Sequence, residues 1–174
     1  LGDYFRTGNY VAGKYQDQAK ATAYNCKDCG VGKYGTLTAR TTEVSACNDC
    51  PVGRWSSAFG HGAPSSATAC TACATGKYND AVAQDAATDC KPCGVGKYNN
   101  VEGQDEISDC KDCDSGKYNT ATGSTTDSAC INCGTGKYST TVVASAESTC
   151  ENCPAGRVGT TTGLAASSAC DPCN

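Results

Sequence analysis

The chain has no methionine, one tryptophan, one histidine and two phenylalanines among its 174 residues. Leu, Ile, Val and Phe together make up about a tenth of it, whereas below roughly a fifth apolar burial no longer holds a fold by itself. A single large hydrophobic core is therefore excluded. No apolar run approaches the roughly 18 to 20 residues that cross a bilayer, so no transmembrane segment is expected. The fourteen Lys and Arg are spread singly and the net charge is −4, which leaves no basic stripe for nucleic-acid phosphates. The opening Leu1-Gly2-Asp3-Tyr4 carries neither an initiator methionine nor a signal-peptide core, and reads as a processed chain or part of a longer one. Asn-x-Ser/Thr does not occur, so N-glycosylation is not expected.

What the chain has instead is cysteine, 16 residues of it. All of them fall in Cys-x-x-Cys pairs: Cys26/Cys29, Cys47/Cys50, Cys70/Cys73, Cys90/Cys93, Cys110/Cys113, Cys130/Cys133, Cys150/Cys153 and Cys170/Cys173. First cysteines are spaced 21, then 23, then 20 residues apart five times. A fixed period of this size marks a tandem-repeat architecture in which each unit is too small to bury a core and must stack on its neighbours. After every pair but the last comes Gly, then Lys or Arg, then a bulky residue, as in Gly96-Lys97-Tyr98; Gly13-Lys14-Tyr15 opens the chain with Thr7 and Tyr10 where cysteines would stand. Residues 1–25 thus read as a degenerate N-terminal cap repeat, and 26–174 as the cysteine-rich repeats.

Between the aromatic and the next pair lies a polar stretch with turn formers and no 3.6-residue period, so each unit reads as one or two short strands and a turn. The expected fold is small, disulfide-rich and irregular with short β, little or no helix, and an elongated rod of about 20-residue repeats. At about 3.3 Å per extended residue, eight units would reach on the order of 100 Å. The recurring Gly suits a turn with positive φ or a close approach that a Cβ would obstruct. Tyr15, Tyr34, Trp55, Tyr78, Tyr98, Tyr118 and Tyr138 supply the largest apolar body of each unit, expected to cover a disulfide, with a row of ligand-binding aromatics as the alternative. The Lys/Arg slot reads as a solvated side chain.

Two disulfide schemes fit the pairs. Joining the second cysteine of one pair to the first of the next gives Cys29–Cys47, Cys50–Cys70, Cys73–Cys90, Cys93–Cys110, Cys113–Cys130, Cys133–Cys150 and Cys153–Cys170. Each such loop is worth roughly 3 kcal/mol of restricted unfolded-chain entropy. First-to-first and second-to-second pairing uses all sixteen but implies a 40-residue alternation, and the sequence repeats at 20, which favours the uniform ladder. That ladder leaves Cys26 and Cys173 for an inter-chain bond, Cys173 of one copy to Cys26 of the next, or for a bond within the chain.

Other chemistries are weaker. Cys-x2-Cys-x17-Cys-x2-Cys lies in the range of four-cysteine zinc sites, yet the array is unbroken, not grouped in fours. A redox role for one Cys-x-x-Cys needs a helix N-terminus in a βαβ setting, and no helical period follows any pair. Glu102, Asp105, Glu106, Asp109, Asp112 and Asp114 lack EF-hand spacing and read as a solvated acidic face. His61 sits in the insertion Phe59-Gly60-His61-Gly62-Ala63-Pro64 with no nucleophile to pair with. No catalytic, metal or cofactor residue is assigned. The 35 Ser and Thr residues leave room for O-glycans at positions the sequence does not single out.

The unit Cys-x-x-Cys-x-x-Gly-Lys-Tyr resembles the ephrin-receptor-like and GCC2/GCC3 cysteine-rich repeats of eukaryotic cell-surface and secreted proteins, most closely at Cys150-Glu151-Asn152-Cys153-Pro154-Ala155-Gly156-Arg157 and Cys50-Pro51-Val52-Gly53-Arg54-Trp55. It is also similar to the first part of a tumour-necrosis-factor-receptor module, which implies the uniform pairing. The expected function is that of a non-enzymatic extracellular structural protein, a repeating unit of a filament, surface appendage or coat whose partners are copies of itself. The alternative is a ligand-binding or adhesive ectodomain or stalk.

Overall fold

A computed structural model of the chain describes residues 12, 14–16, 26–36, 42–60, 62 and 65–173. The degenerate cap and His61 therefore lie mostly or wholly outside the described residues. The chain divides into two compact units, one of Leu1–Cys73 with Asn79–Cys90 and the other of Ala74–Tyr78 with Lys91–Asn174.

Both units are built from one element, an antiparallel hairpin of two-residue strands. The first strand is the Lys/Arg-aromatic dipeptide; the second is the pair of residues inside the next Cys-x-x-Cys. In the first unit β1 (Lys14–Tyr15) pairs with β2 (Lys27–Asp28), β3 (Lys33–Tyr34) with β4 (Asn48–Asp49), and β5 (Arg54–Trp55) with β6 (Thr71–Ala72). In the second, β7 (Lys77–Tyr78) pairs with β8 (Lys91–Pro92), β9 (Lys97–Tyr98) with β10 (Lys111–Asp112), β11 (Lys117–Tyr118) with β12 (Ile131–Asn132), β13 (Lys137–Tyr138) with β14 (Glu151–Asn152), and β15 (Arg157–Val158) with β16 (Asp171–Pro172). A hairpin this short is not stable in water. Covalent closure compensates, through seven disulfides with Cα separations of 5.6 to 6.0 Å: Cys29–Cys47, Cys50–Cys70, Cys73–Cys90, Cys93–Cys110, Cys113–Cys130, Cys133–Cys150 and Cys153–Cys170.

Among the described residues the strands are joined by loops that end in a single helical turn before Cys47, Cys70, Cys90, Cys110, Cys130, Cys150 and Cys170. Where the bridged cysteines are 17 residues apart the turn is a 3-10 turn, as in Ile107–Asp109 and Asp127–Ala129. Where they are 18 or 20 apart the extra residues widen it to the α-turns α1 (Glu43–Ala46) and α2 (Ser66–Ala69). Asp109 shows how the turn is held, its carboxylate accepting the backbone N–H groups of Asp105 and Glu106 at 3.1 and 3.0 Å. One turn is too short to show a helical period in sequence.

Burial follows the disulfides. The first unit holds two small clusters, Cys29, Ala46 and Cys47 with Tyr15 packed on them, and Cys50, Ala69 and Cys70 with Tyr34. The second holds Tyr78 with Cys93 and Cys110. Tyr15, Tyr34 and Tyr78 thus each pack on the bridge of the following loop, not that of their own, and so tie adjacent repeats together.

Candidate functional site

The residues that recur in every repeat converge on the joint between one repeat and the next. Gly96 donates its N–H to the carbonyl of Asn119 in the following repeat at 2.8 Å, and Gly32, Gly53, Gly76, Gly116 and Gly136 donate likewise to Ser56, Asn79, Asn99, Ser139 and Gly159 at 2.7 to 2.9 Å. The residue that accepts returns the contact one repeat further on: Ser56, Asn99, Asn119 and Ser139 donate their N–H to the carbonyls of Gln84, Ser124, Ala144 and Leu164. A third bond runs from the residue seven after the glycine back to a disulfide cysteine, Gly60 to Cys29, Ala83 to Cys50, Gly123 to Cys93, Val143 to Cys113 and Gly163 to Cys133. The joint also reaches past the nearest neighbour. A Cβ on Gly96 or Gly116 would overlap the backbone carbonyl of Val143 or Gly163, two repeats away, and both glycines hold positive φ (74° and 81°).

The accepting position is one that sequence reading passed over as part of a polar stretch. Asn79, Asn99 and Asn119 are buried there, Asn99 to 0% exposure. The Asn99 side-chain amide donates to the Lys77 carbonyl at 3.0 Å, and its carbonyl oxygen accepts the N–H of Val101 at 2.9 Å; Asn79 and Asn119 repeat both contacts with Arg54 and Ala81, and with Lys97 and Ala121. A side chain that turns its own loop and also bonds the preceding repeat must be Asn, because only its amide offers donor and acceptor in that geometry. Ser56 and Ser139 keep the local contact, their hydroxyls accepting from Ala58 and Thr141. The recurrence of Asn or Ser three residues after the Gly, and of Gly60, Gly103, Gly123 and Gly163 seven after, was the available signal.

The Lys/Arg slot, expected to be solvated, has a partner within its own loop or hairpin at Lys14, Lys33, Arg54, Lys97, Lys137 and Arg157. Lys14 pairs with Asp28 at 2.6 Å, Lys33 with Asp49 at 2.8 Å, Lys97 with Asp112, and Lys137 with Glu147 at 3.2 Å. Arg54 and Arg157 each donate to the carbonyl of the bridged cysteine opposite, Cys70 and Cys170, at 2.8 Å. The hydrogen bond from Lys33 to Asp49 holds its ammonium above the ordinary 10.5, against the opposing effect of partial burial. Such half-exposed pairs contribute about 0.2 to 1 kcal/mol each. On the aromatic row, Lys91 and Lys111 lie 5.9 and 6.0 Å from the ring centres of Tyr78 and Tyr98. The Tyr138 hydroxyl donates to Glu151 at 2.6 Å, which raises its pKa above 10.0. Trp55 and Tyr118 are half-buried in the same register, opposite Thr71 and Ile131.

The two cysteines of every complete pair belong to different bridges, so no Cys-x-x-Cys closes on itself. Cys26 and Cys173 are free, the former half-buried and the latter exposed. Cys173 nevertheless occupies the backbone position of a ladder cysteine: its N–H donates to Gly156 at 2.9 Å, as Cys153 donates to Gly136 and Cys133 to Gly116 at 2.8 Å. The acidic run does not converge, since Asp109 caps its turn and Asp112 pairs with Lys97; among the described residues no group of three His, Cys, Asp or Glu side chains is placed to hold a metal. No described helix is long and apolar enough to cross a membrane.

Compared with known proteins, the chain matches no family model and no curated sequence. The geometry makes it a cysteine-rich tandem-repeat module whose recurring residues join repeat to repeat.

Proposed function

We propose that the chain is a non-catalytic extracellular structural protein, a repeating unit of a filament, surface appendage or coat, whose repeats are of the ephrin-receptor-like type. The observation that carries the reading is the use made of the recurring slots: Gly, aromatic, Asn and Cys are all spent on holding one repeat to another. A seven-bridge ladder requires an oxidising compartment, which supports a place outside the cell. The free Cys26 and Cys173 stand at the first and last positions of the ladder and suit a bond from Cys173 of one copy to Cys26 of the next. Forming it releases two protons and passes two electrons to a disulfide oxidant of that compartment.

Non-reducing peptide mapping of a mixture of isotopically light and heavy chains tests this directly. A light-heavy peptide joining Cys173 to Cys26, together with polymers in negative-stain images, is expected. A monomer with two free thiols, or a Cys26–Cys173 bond within one chain, overturns it. An adhesive or ligand-binding ectodomain is the second reading, favoured by Phe59, 71% exposed on the one repeat with a 23-residue spacing; isolated particles that bind a surface through that loop would support it.

A further inference from the structure

In each hairpin of the second unit the first strand's bulky residue stands directly opposite the residue that follows the first cysteine of a pair, so the two share a face: Tyr78 with Lys91, Tyr98 with Lys111, Tyr118 with Ile131, Tyr138 with Glu151 and Val158 with Asp171. The second members of these pairs stand 20 residues apart and are all exposed, Ile131 to 49%. Along the chain they run Lys, Lys, Ile, Glu, Asp, so that charge changes sign about an apolar centre. Internal contacts orient these groups without burying them. The Lys111 ammonium lies 6.0 Å from the Tyr98 ring centre and donates to the Asn100 side chain at 2.8 Å, and Glu151 accepts from the Tyr138 hydroxyl at 2.6 Å. Those contacts stay within one hairpin, whereas the joints between repeats run through other residues, as in Gly96 to Asn119, Gly116 to Ser139 and Gly136 to Gly159. Because each joint repeats the same bond, consecutive hairpins present the column at equivalent positions.

We infer that this column is a lateral docking surface for the same column of a second copy of the chain, lying antiparallel about a two-fold axis at Ile131. Ile131 then meets its own counterpart, Lys111 of each copy meets Glu151 of the other, and Lys91 meets Asp171 at the flanks. Charge complementarity selects both the occupant and its direction. A parallel copy in register would set Lys111 on Lys111 and Glu151 on Glu151, and a partner of one charge sign would match only half of the column. A two-fold contact between identical chains needs a patch complementary to itself, which charges of opposite sign arranged about an apolar residue supply. The contact rests on the structural role proposed above and adds side-by-side association to it, without using Cys26 or Cys173.

Sedimentation velocity of the full chain carrying Cys26→Ser and Cys173→Ser reads the contact without disulfide links. Reversible dimerisation is expected, weakened at least about tenfold between ~0.05 M and ~0.5 M salt as screening shortens the reach of the charges. Lys111→Glu and Glu151→Lys should each weaken it at least about tenfold, since either one sets like charges against each other twice. An equimolar mixture of these two variants should recover dimerisation, and so should the two substitutions placed in one chain, because both arrangements restore opposite charges at the antiparallel contact. Glu102→Lys reverses an exposed charge outside the column and should leave association unchanged. Circular dichroism confirms that each variant keeps its fold. A chain that stays monomeric at low salt, a mixture that fails to recover association, or an equal loss in Glu102→Lys overturns the inference. Disulfide-linked polymers of the unsubstituted chain beside a monomeric Cys26→Ser, Cys173→Ser chain would sink the lateral contact and leave the structural function standing. Charge-dependent dimers without such polymers would uphold the contact and remove the end-to-end bond.

Discussion

Val143 holds φ at 59°, a left-handed conformation that a β-branched side chain adopts only under strain, in a slot that Gly60, Gly103, Gly123 and Gly163 fill elsewhere. Relief of that strain, about 1 to 2 kcal/mol, exceeds the added unfolded-chain entropy of glycine, about 0.5 to 1 kcal/mol, so Val143→Gly should raise the thermal midpoint. A lowered midpoint in calorimetry would show that the valine side chain earns its place by packing. Asn99 presents the opposite case. Asn99→Ala removes a fully buried side chain and with it the partner of the Lys77 carbonyl and of the Val101 N–H, both part-buried, and equilibrium denaturation with disulfides intact should register a loss of about 1 to 3 kcal/mol. The hydroxyl of Tyr138 donates while neutral and not when ionised, so its contact with Glu151 is complete below pH 10.0 and lost as pH rises through the raised pKa. Glu151→Gln should bring that midpoint down, as followed by the Tyr138 ring resonances in an NMR titration.

At the level of the hairpin, identical glycines carry unequal consequences because the element is completed by its neighbours. Gly96→Ala forces a methyl into the Val143 carbonyl and adds the left-handed penalty, for a loss of about 2 to 5 kcal/mol in the isolated chain. Gly136→Ala bears only the conformational part, about 1 to 2 kcal/mol. Denaturant midpoints that fall equally for the two would mean that the glycines act through backbone conformation alone. Lys33 and Asp49 clamp β3 to β4 with the sign expected of a raised lysine: the contribution is full below 10.5 and fades as pH climbs through the higher folded value, so Asp49→Asn should flatten alkaline destabilisation of this hairpin. The short strands and the disulfide-dependent loops were legible from the cysteine spacing and the poverty of apolar residues. The helical turn ahead of each pair was not, since three or four residues cannot display a period.

For the whole chain, legibility ends where contacts pass between repeats. Bonds such as Gly96 to Asn119 join residues of different copies through backbone atoms, and backbone hydrogen bonds leave no apolar pattern to read. The slots Asn99 and Val143 were consequently hidden among polar residues, although the slots Gly96 and Tyr98 stood out by recurrence. The division of each Cys-x-x-Cys between two bridges has a mechanical consequence. A pull on the two ends of the second unit enters at Cys93, crosses sulfur to Cys110, follows Lys111 and Asp112 to Cys113, and crosses again to Cys130. The residues inside each loop carry no tension. With 5.7 Å between bridged Cα atoms and three peptide steps of about 3.4 Å, each repeat yields at most about 16 Å under load, against about 68 Å for its 20 residues once reduced. Force spectroscopy should therefore find a chain that lengthens roughly fourfold when a reductant is added, and otherwise a tether whose compliance is set by two residues in twenty.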